Sequence, residues 1–113
     1  MNIQIFGTKK SFDTKKAQRY FKERRVKFQF IDLKEKGMSK GELESVARAV
    51  GGIDAVIDPK AKDADTVALV QYIAADKKFE KVLDNQQILR EPIVRNGRQA
   101  TVGYQPEIWK TWE

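Results

Sequence analysis

The chain has 113 residues, enough for one modest core and too few for two, so a single domain over residues 1–113 is expected. Hydrophobic residues make up 41% and charged residues 34%, a soluble globular balance, and no apolar run approaches the roughly 20 residues that span a bilayer. The net charge of +6 invites a polyanion, but many basic residues are interleaved with acids, as in Lys34-Glu35-Lys36 and Lys78-Phe79-Glu80-Lys81. Solvated helix faces are therefore preferred over direct nucleic-acid binding, and an acidic protein partner fits as well as a polyanion.

In chain order, Ile3, Ile5 and Phe6 mark a short strand. This start lacks the charged-then-apolar layout of a signal peptide, so a cytoplasmic protein is expected. Residues 13–24 place Ala17, Tyr20, Phe21 and Arg24 at helical spacing, with Ser11 or Asp13 as the cap. Val26, Phe28 and Phe30 alternate as a strand. After a loop over 34–37, Ser39-Lys40-Gly41-Glu42 has capping-box spacing. The helix it opens runs to Val50 and stops at Gly51-Gly52.

A further helix is expected over 63–75, with Val67, Val70, Ile73 and Ala74 on one side, and a shorter one over 77–83. Arg90-Glu91-Pro92-Ile93-Val94 leads into Asn96-Gly97, a type I′ hairpin signal, and residues 98–102 return as the paired strand. Gln105 caps a last helix with Pro106 in its first turn, and its Trp109 and Trp112 read as core and rim. The first half implies a parallel strand pair joined by a right-handed crossover. With the hairpin added, the order is that of an α/β, thioredoxin-like (glutaredoxin-like) mixed sheet of about four strands with flanking helices and a helical insertion.

The chain has no cysteine and no histidine. It offers no thiolate nucleophile, no disulfide and no Ser-His-Asp arrangement. Pairing Ser11 with Lys9, Lys10 or Lys15 is the one serine-based arrangement the composition leaves open. No metal site is expected, since the soft and imidazole ligands are absent and the carboxylates do not cluster.

Four blocks carry a family likeness: Phe6 to Ala17, Gly52-Ile53-Asp54-Ala55-Val56-Ile57, Arg90-Glu91-Pro92-Ile93-Val94, and Val102-Gly103-Tyr104. In this order they resemble the arsenate reductase (ArsC) and Spx family of thioredoxin-like proteins, across nearly the whole chain. The resemblance places the redox cysteine at Ser11 and the second cysteine of Cys-x-x-Cys members at Thr14. It assigns Lys9, Lys10, Lys60, Arg90 and Pro92 to an anion and substrate groove, with Pro92 expected in cis. Lys60 stands where the family has an arginine, and its ammonium lacks the bidentate fork. Glu91 occupies the position of an oxyanion-holding arginine, where a carboxylate is expected to repel arsenate.

Two functional readings follow from the resemblance. The first is a redox-inactive binding or regulatory module without cofactor. Its partner would be the C-terminal domain of the RNA polymerase alpha chain, met by Gly52 as in Spx-like members. The alternative is an arsenate reductase-like or glutathione- or thioredoxin-linked thiol-disulfide oxidoreductase whose cysteine at position 11 is replaced by serine, with glutathione as co-substrate.

Overall fold

A computed structural model describes residues 1–112. Its central strand, β1 (Ile3–Gly7), takes its two faces from the alternation of its side chains. Ile3 and Ile5 enter one apolar cluster and Phe6 the opposite one. β2 (Phe28–Asp32) lies parallel to β1, with Ile3 opposite Phe28. β3 (Ile93–Asn96) pairs antiparallel on the other edge of β1, and β4 (Gln99–Val102) completes the sheet in the order β2-β1-β3-β4.

Helix α1 (Phe12–Glu23) joins β1 to β2 and buries Thr14, Ala17, Tyr20 and Phe21. Ala17, Tyr20 and Phe21 pack with Ile3, Ile5, Val94 and Trp109 of α5 (Pro106–Trp109) on one face of the sheet. The other face is covered by α2 (Lys40–Val50), α3 (Ala64–Tyr72) and α4 (Ala75–Leu83), whose Leu43, Val46, Val67, Val70 and Val82 surround Phe6, Ile31 and Ile93. Among the described residues, no helix is long and apolar enough to cross a membrane.

The capping box at Ser39 and Glu42 is formed in full, and Gly51 closes α2 at φ 96°. Of the two caps the sequence offered, Ser11 is the one that caps α1. Several boundaries depart from the sequence reading: α1 runs from Phe12 to Glu23 with Arg24 as its C-cap, and α4 begins at Ala75. The Val26 amide bonds back to the Phe21 carbonyl at 3.0 Å, which keeps Val26 in the helix exit and delays β2 to Phe28. Ile73 adopts an extended conformation, so α3 stops at Tyr72 and leaves Ile73 and Ala74 outside it. The hairpin turn differs too. Asn96 pairs with Gln99, so the two loop residues are Gly97 and Arg98, and only Gly97 has a positive φ (61°). Glycine alone at the first loop position is the type II′ pattern, not type I′.

Two short 3₁₀ segments, Ile53–Val56 and Gln86–Ile88, had no signal in the sequence periodicity. They flank a single bridge between Ile57 and Leu89, reinforced by Asp58 N–H to the Ile88 carbonyl at 2.8 Å and Arg90 N–H to the Val56 carbonyl at 2.8 Å. This bridge ties the helical insertion to the segment entering β3.

Trp109 is the largest fully buried side chain, and its indole Nε1 donates to Thr101 Oγ1 at 2.7 Å. Tyr20 packs edge-on against the same indole, yet its buried hydroxyl has no partner among the described residues. These two neighbours give predictions of opposite sign. Thr101→Val strands the indole N–H and should cost about 1–3 kcal/mol, whereas Tyr20→Phe removes an unsatisfied polar group and should stabilise by about 1 kcal/mol. Urea unfolding followed by tryptophan fluorescence measures both; equal stabilities would contradict the assigned hydrogen bonding.

Candidate functional site

β1 ends at Gly7, and the chain turns through residues 8–11 before α1 begins. The Ser11 amide closes this turn on the Thr8 carbonyl at 3.3 Å. Ser11 Oγ then accepts from the Thr14 amide at 3.2 Å, satisfying one of the orphan donors of the helix start. The hydroxyl at the position that the resemblance gives to a redox cysteine is thus a helix cap. A serine hydroxyl is far too weakly acidic to supply a nucleophilic alkoxide unless a base takes its proton. No lysine makes a hydrogen bond to it among the described residues.

The dominant interaction of the site comes from the other end of the chain. Glu91 precedes Pro92 across a cis peptide bond, and its carboxylate reaches back to the turn. It accepts from the Thr8 amide, from Thr8 Oγ1 at 3.2 Å and from Thr14 Oγ1 at 3.2 Å. Thr14 is fully buried, so its hydroxyl depends on this one acceptor. The approach is close enough to require glycine at position 7. A Cβ there would lie 2.7 Å from Thr14 Cγ2 and 3.1 Å from Glu91 Oε1. The sequence predicted that Glu91 would repel an oxyanion; the structure adds that its carboxylate is itself held by the donors of the turn.

Ser11 and Glu91 open onto a cleft of about 870 Å³. Of the residues assigned to the groove by resemblance, Lys10, Lys60 and Arg90 line it with Ser11. Thr14 and Pro92 are buried behind the wall, and Lys9 is exposed outside it. Lys60 sits on the rim, where its amide donates to Asp58 Oδ1 at 2.9 Å. The Arg90 guanidinium lies along the glycine that follows β4, its Nε 3.3 Å from where a Cβ on Gly103 would stand. Gly52 belongs to a separate turn between α2 and the first 3₁₀ segment and does not line the cleft.

The charge of the cleft is mixed. Lys10, Lys34, Lys60, Lys62 and Arg90 face Asp13, Asp58, Asp63 and Glu91. Asp63 caps α3, and the hydrogen bonds from the Thr66 side chain, from Gln87 and from the Thr66 amide hold its carboxyl below the usual range. Its folded pKa is depressed, so its contribution to stability is present above about pH 4 and is lost as the pH falls further. Thr8, Asp58 and Asp63 were absent from the sequence reading of the site. Only the Asp63-Ala64-Asp65-Thr66 cap spacing carried a legible signal for any of them.

Removing the carboxylate tests its role. Glu91→Gln keeps the shape but loses the charge assistance and should destabilise by about 1–2 kcal/mol. Glu91→Ala leaves the buried Thr14 hydroxyl and the Thr8 amide unpaired and should cost more, with faster hydrogen exchange at Thr8. Unchanged exchange at that amide in the alanine variant would contradict the assignment.

The ArsC family model matches residues 6–112. No curated protein matches the chain. Similar solved structures include an ArsC-family-related protein from Bacteroides fragilis, 14% identical with a TM-score of 0.85 over 100% of this chain and 98% of that one. An arsenate reductase from Vibrio cholerae is 21% identical with a TM-score of 0.81, over 96% and 94%. An arsenate reductase (ArsC) related protein from Brucella melitensis is 18% identical with a TM-score of 0.66, over 99% and 94%. At these identities the structural likeness establishes a thioredoxin-like α/β fold. The family match extends over both halves of the cleft, and the chain belongs to the ArsC family as a member without cysteine.

Proposed function

We propose that this chain is a cytoplasmic binding and regulatory module without reductase chemistry. The observation that carries the reading is the Glu91 carboxylate held by Thr8 and Thr14. A reductase of an oxyanion must keep hydrogen-bond donors free for the substrate and a thiolate beside them. Here the Thr8 amide and the Thr8 and Thr14 hydroxyls are engaged by an internal carboxylate, and the position that the resemblance gives to the nucleophile holds a capping serine.

The partner in this reading is the C-terminal domain of the RNA polymerase alpha chain, carried by the likeness to Spx-like members. The turn at Gly51 and Gly52 supports an accessible contact, since a Cβ on either residue would meet nothing within 4 Å. The glycine at 52 also has a local reason, its φ of 135° and ψ of 168° being a region essentially closed to other residues. The partner is therefore best tested with Arg48→Glu on the neighbouring exposed turn of α2, which leaves that backbone alone. Saturable binding of the purified domain, weakened by Arg48→Glu and indifferent to oxidant, is the expected result. Its absence at micromolar concentrations removes this partner.

The alternative, a thiol-disulfide enzyme lacking its cysteine, draws support from the place of Ser11 at the N-terminus of a 12-residue helix. A thiolate there is stabilised by the helix dipole. Ser11→Cys should accordingly alkylate faster than a free thiol at neutral pH. It should still fail to reduce arsenate with glutathione, because the Glu91 carboxyl group occupies the donors of Thr8 and Thr14. Arsenate turnover by the single variant would favour the enzyme over the module.

A further inference from the structure

The positive charge of this protein is not spread over its surface. Residues 9–27 carry nine lysines and arginines against two acids, whereas the rest of the chain carries thirteen against fourteen. The whole net charge of +6 therefore resides in α1 and its flanks. Because α1 turns Thr14, Ala17, Tyr20 and Phe21 inward, the residues at the intervening helical positions form its outward face. Lys15, Lys16, Arg19 and Lys22 are all exposed there. The ion pairs among the described residues involve other lysines and arginines, and none involves these four. Neighbouring turns stack like charges, Lys15 over Arg19 and Arg19 over Lys22, which disfavours the isolated helix.

We infer that the outward face of α1, with the adjoining edge of α5, docks an acidic, partly apolar segment of another protein. This inference deepens the binding-module reading and rests on it, while placing the contact away from the Gly52 turn. Charge complementarity sets the sign of the partner. Apolar anchors set its class. Phe12 is 78% exposed at one end of the stripe with the Lys15 ammonium over its ring, and Tyr104 and Ile108 are exposed on the α5 side, the Lys16 ammonium lying over Tyr104. Aromatic side chains flanked by cations are the usual anchors of a protein interface. A groove of about 450 Å³ runs between the two helices, with Lys16, Arg19 and Tyr104 on its walls. It also contains the carboxylates of Glu23 and Glu107. A continuous phosphate backbone laid in that groove would meet both, whereas a polypeptide places its acidic side chains at intervals and avoids them. The surface therefore suits a peptide segment better than a nucleic acid.

The test uses the full chain, labelled with nitrogen-15, and a synthetic helix-forming peptide of Glu, Leu and Ala as probe. Saturable shifts at Lys15, Lys16, Arg19, Tyr104 and Ile108 are expected at low salt, with binding weakened about tenfold or more by Lys16→Glu/Arg19→Glu. Both substituted residues are exposed, so an unchanged melting temperature confirms that the variant is folded. The inference is overturned by equal binding of the same peptide with Gln in place of Glu. It is also overturned by tighter binding of duplex DNA or of phosphatidylglycerol vesicles than of the peptide. Shifts confined to the cleft or the Gly52 turn, or no shifts, overturn it too, and leave the module reading to the polymerase-domain measurement above.

Discussion

The site depends on one carboxylate. Glu91 joins the segment entering β3 to the turn between β1 and α1, two parts of the chain separated by 83 positions at Thr8 and 77 at Thr14. A carboxylate accepting several N–H and O–H donors forms charge-assisted bonds, roughly twice as strong as neutral ones. Around it the other features fall into place. Gly7 is needed because no side chain fits beside the Thr14 hydroxyl and the carboxylate. Thr14 tolerates full burial because its hydroxyl has this partner. Thr8 is fixed by two bonds, and the turn that ends in Ser11 is closed on the Thr8 carbonyl.

This arrangement also links two residues far apart in the chain. The serine at position 11 places no charge at the start of α1, and the Glu91 carboxylate supplies a negative one nearby. The N-terminus of a helix favours negative charge by about 0.3–1 kcal/mol at exposed sites. A reductase uses that preference on its thiolate and substrate. Here the internal Glu91 carboxylate and Asp13 in the first turn meet it instead. The Thr8 amide and the Thr8 and Thr14 hydroxyls are satisfied without any ligand.

The fold was largely legible in the sequence because its signals are local. Ser39 and Glu42 announced a capping box, Gly51 a helix end, and the alternation around Ile3 and Ile5 a strand with one face to the core. The misplacements at β2 and at the hairpin turn share a physical reason: each was decided by a bond the periodicity cannot contain. Val26 is drawn to the Phe21 carbonyl, and Asn96 is taken up by pairing with Gln99 so that the turn falls on Gly97 and Arg98. The site was legible only in part. Family likeness picked out Lys10, Ser11, Lys60 and Arg90, which line one cleft, but also Lys9, Thr14 and Pro92, which do not. It gave the charge of Glu91 but not the donors that hold it, because an acceptor dozens of positions away leaves no pattern along the chain.

The distribution of charge separates the two ends of α1 by role. At its N-terminus the helix is tied to the sheet by Thr14 and Glu91, and the mixed charges of the cleft come close to cancelling. Along its outward face the cations are uncompensated, with like charges stacked at Lys15 and Arg19 and at Arg19 and Lys22. Such pairs cost a helix roughly 0.2–0.5 kcal/mol each in isolation. The burial of Ala17, Tyr20 and Phe21 against Trp109 offsets that cost many times over, since removing one large aromatic from a core loses about 3–5 kcal/mol. Packing therefore lets the helix carry a charge density that its own propensity would not support. A cleft of nearly balanced charge and a helix face left strongly positive put the unmet electrostatic demand of this protein on the helix face, away from the cleft.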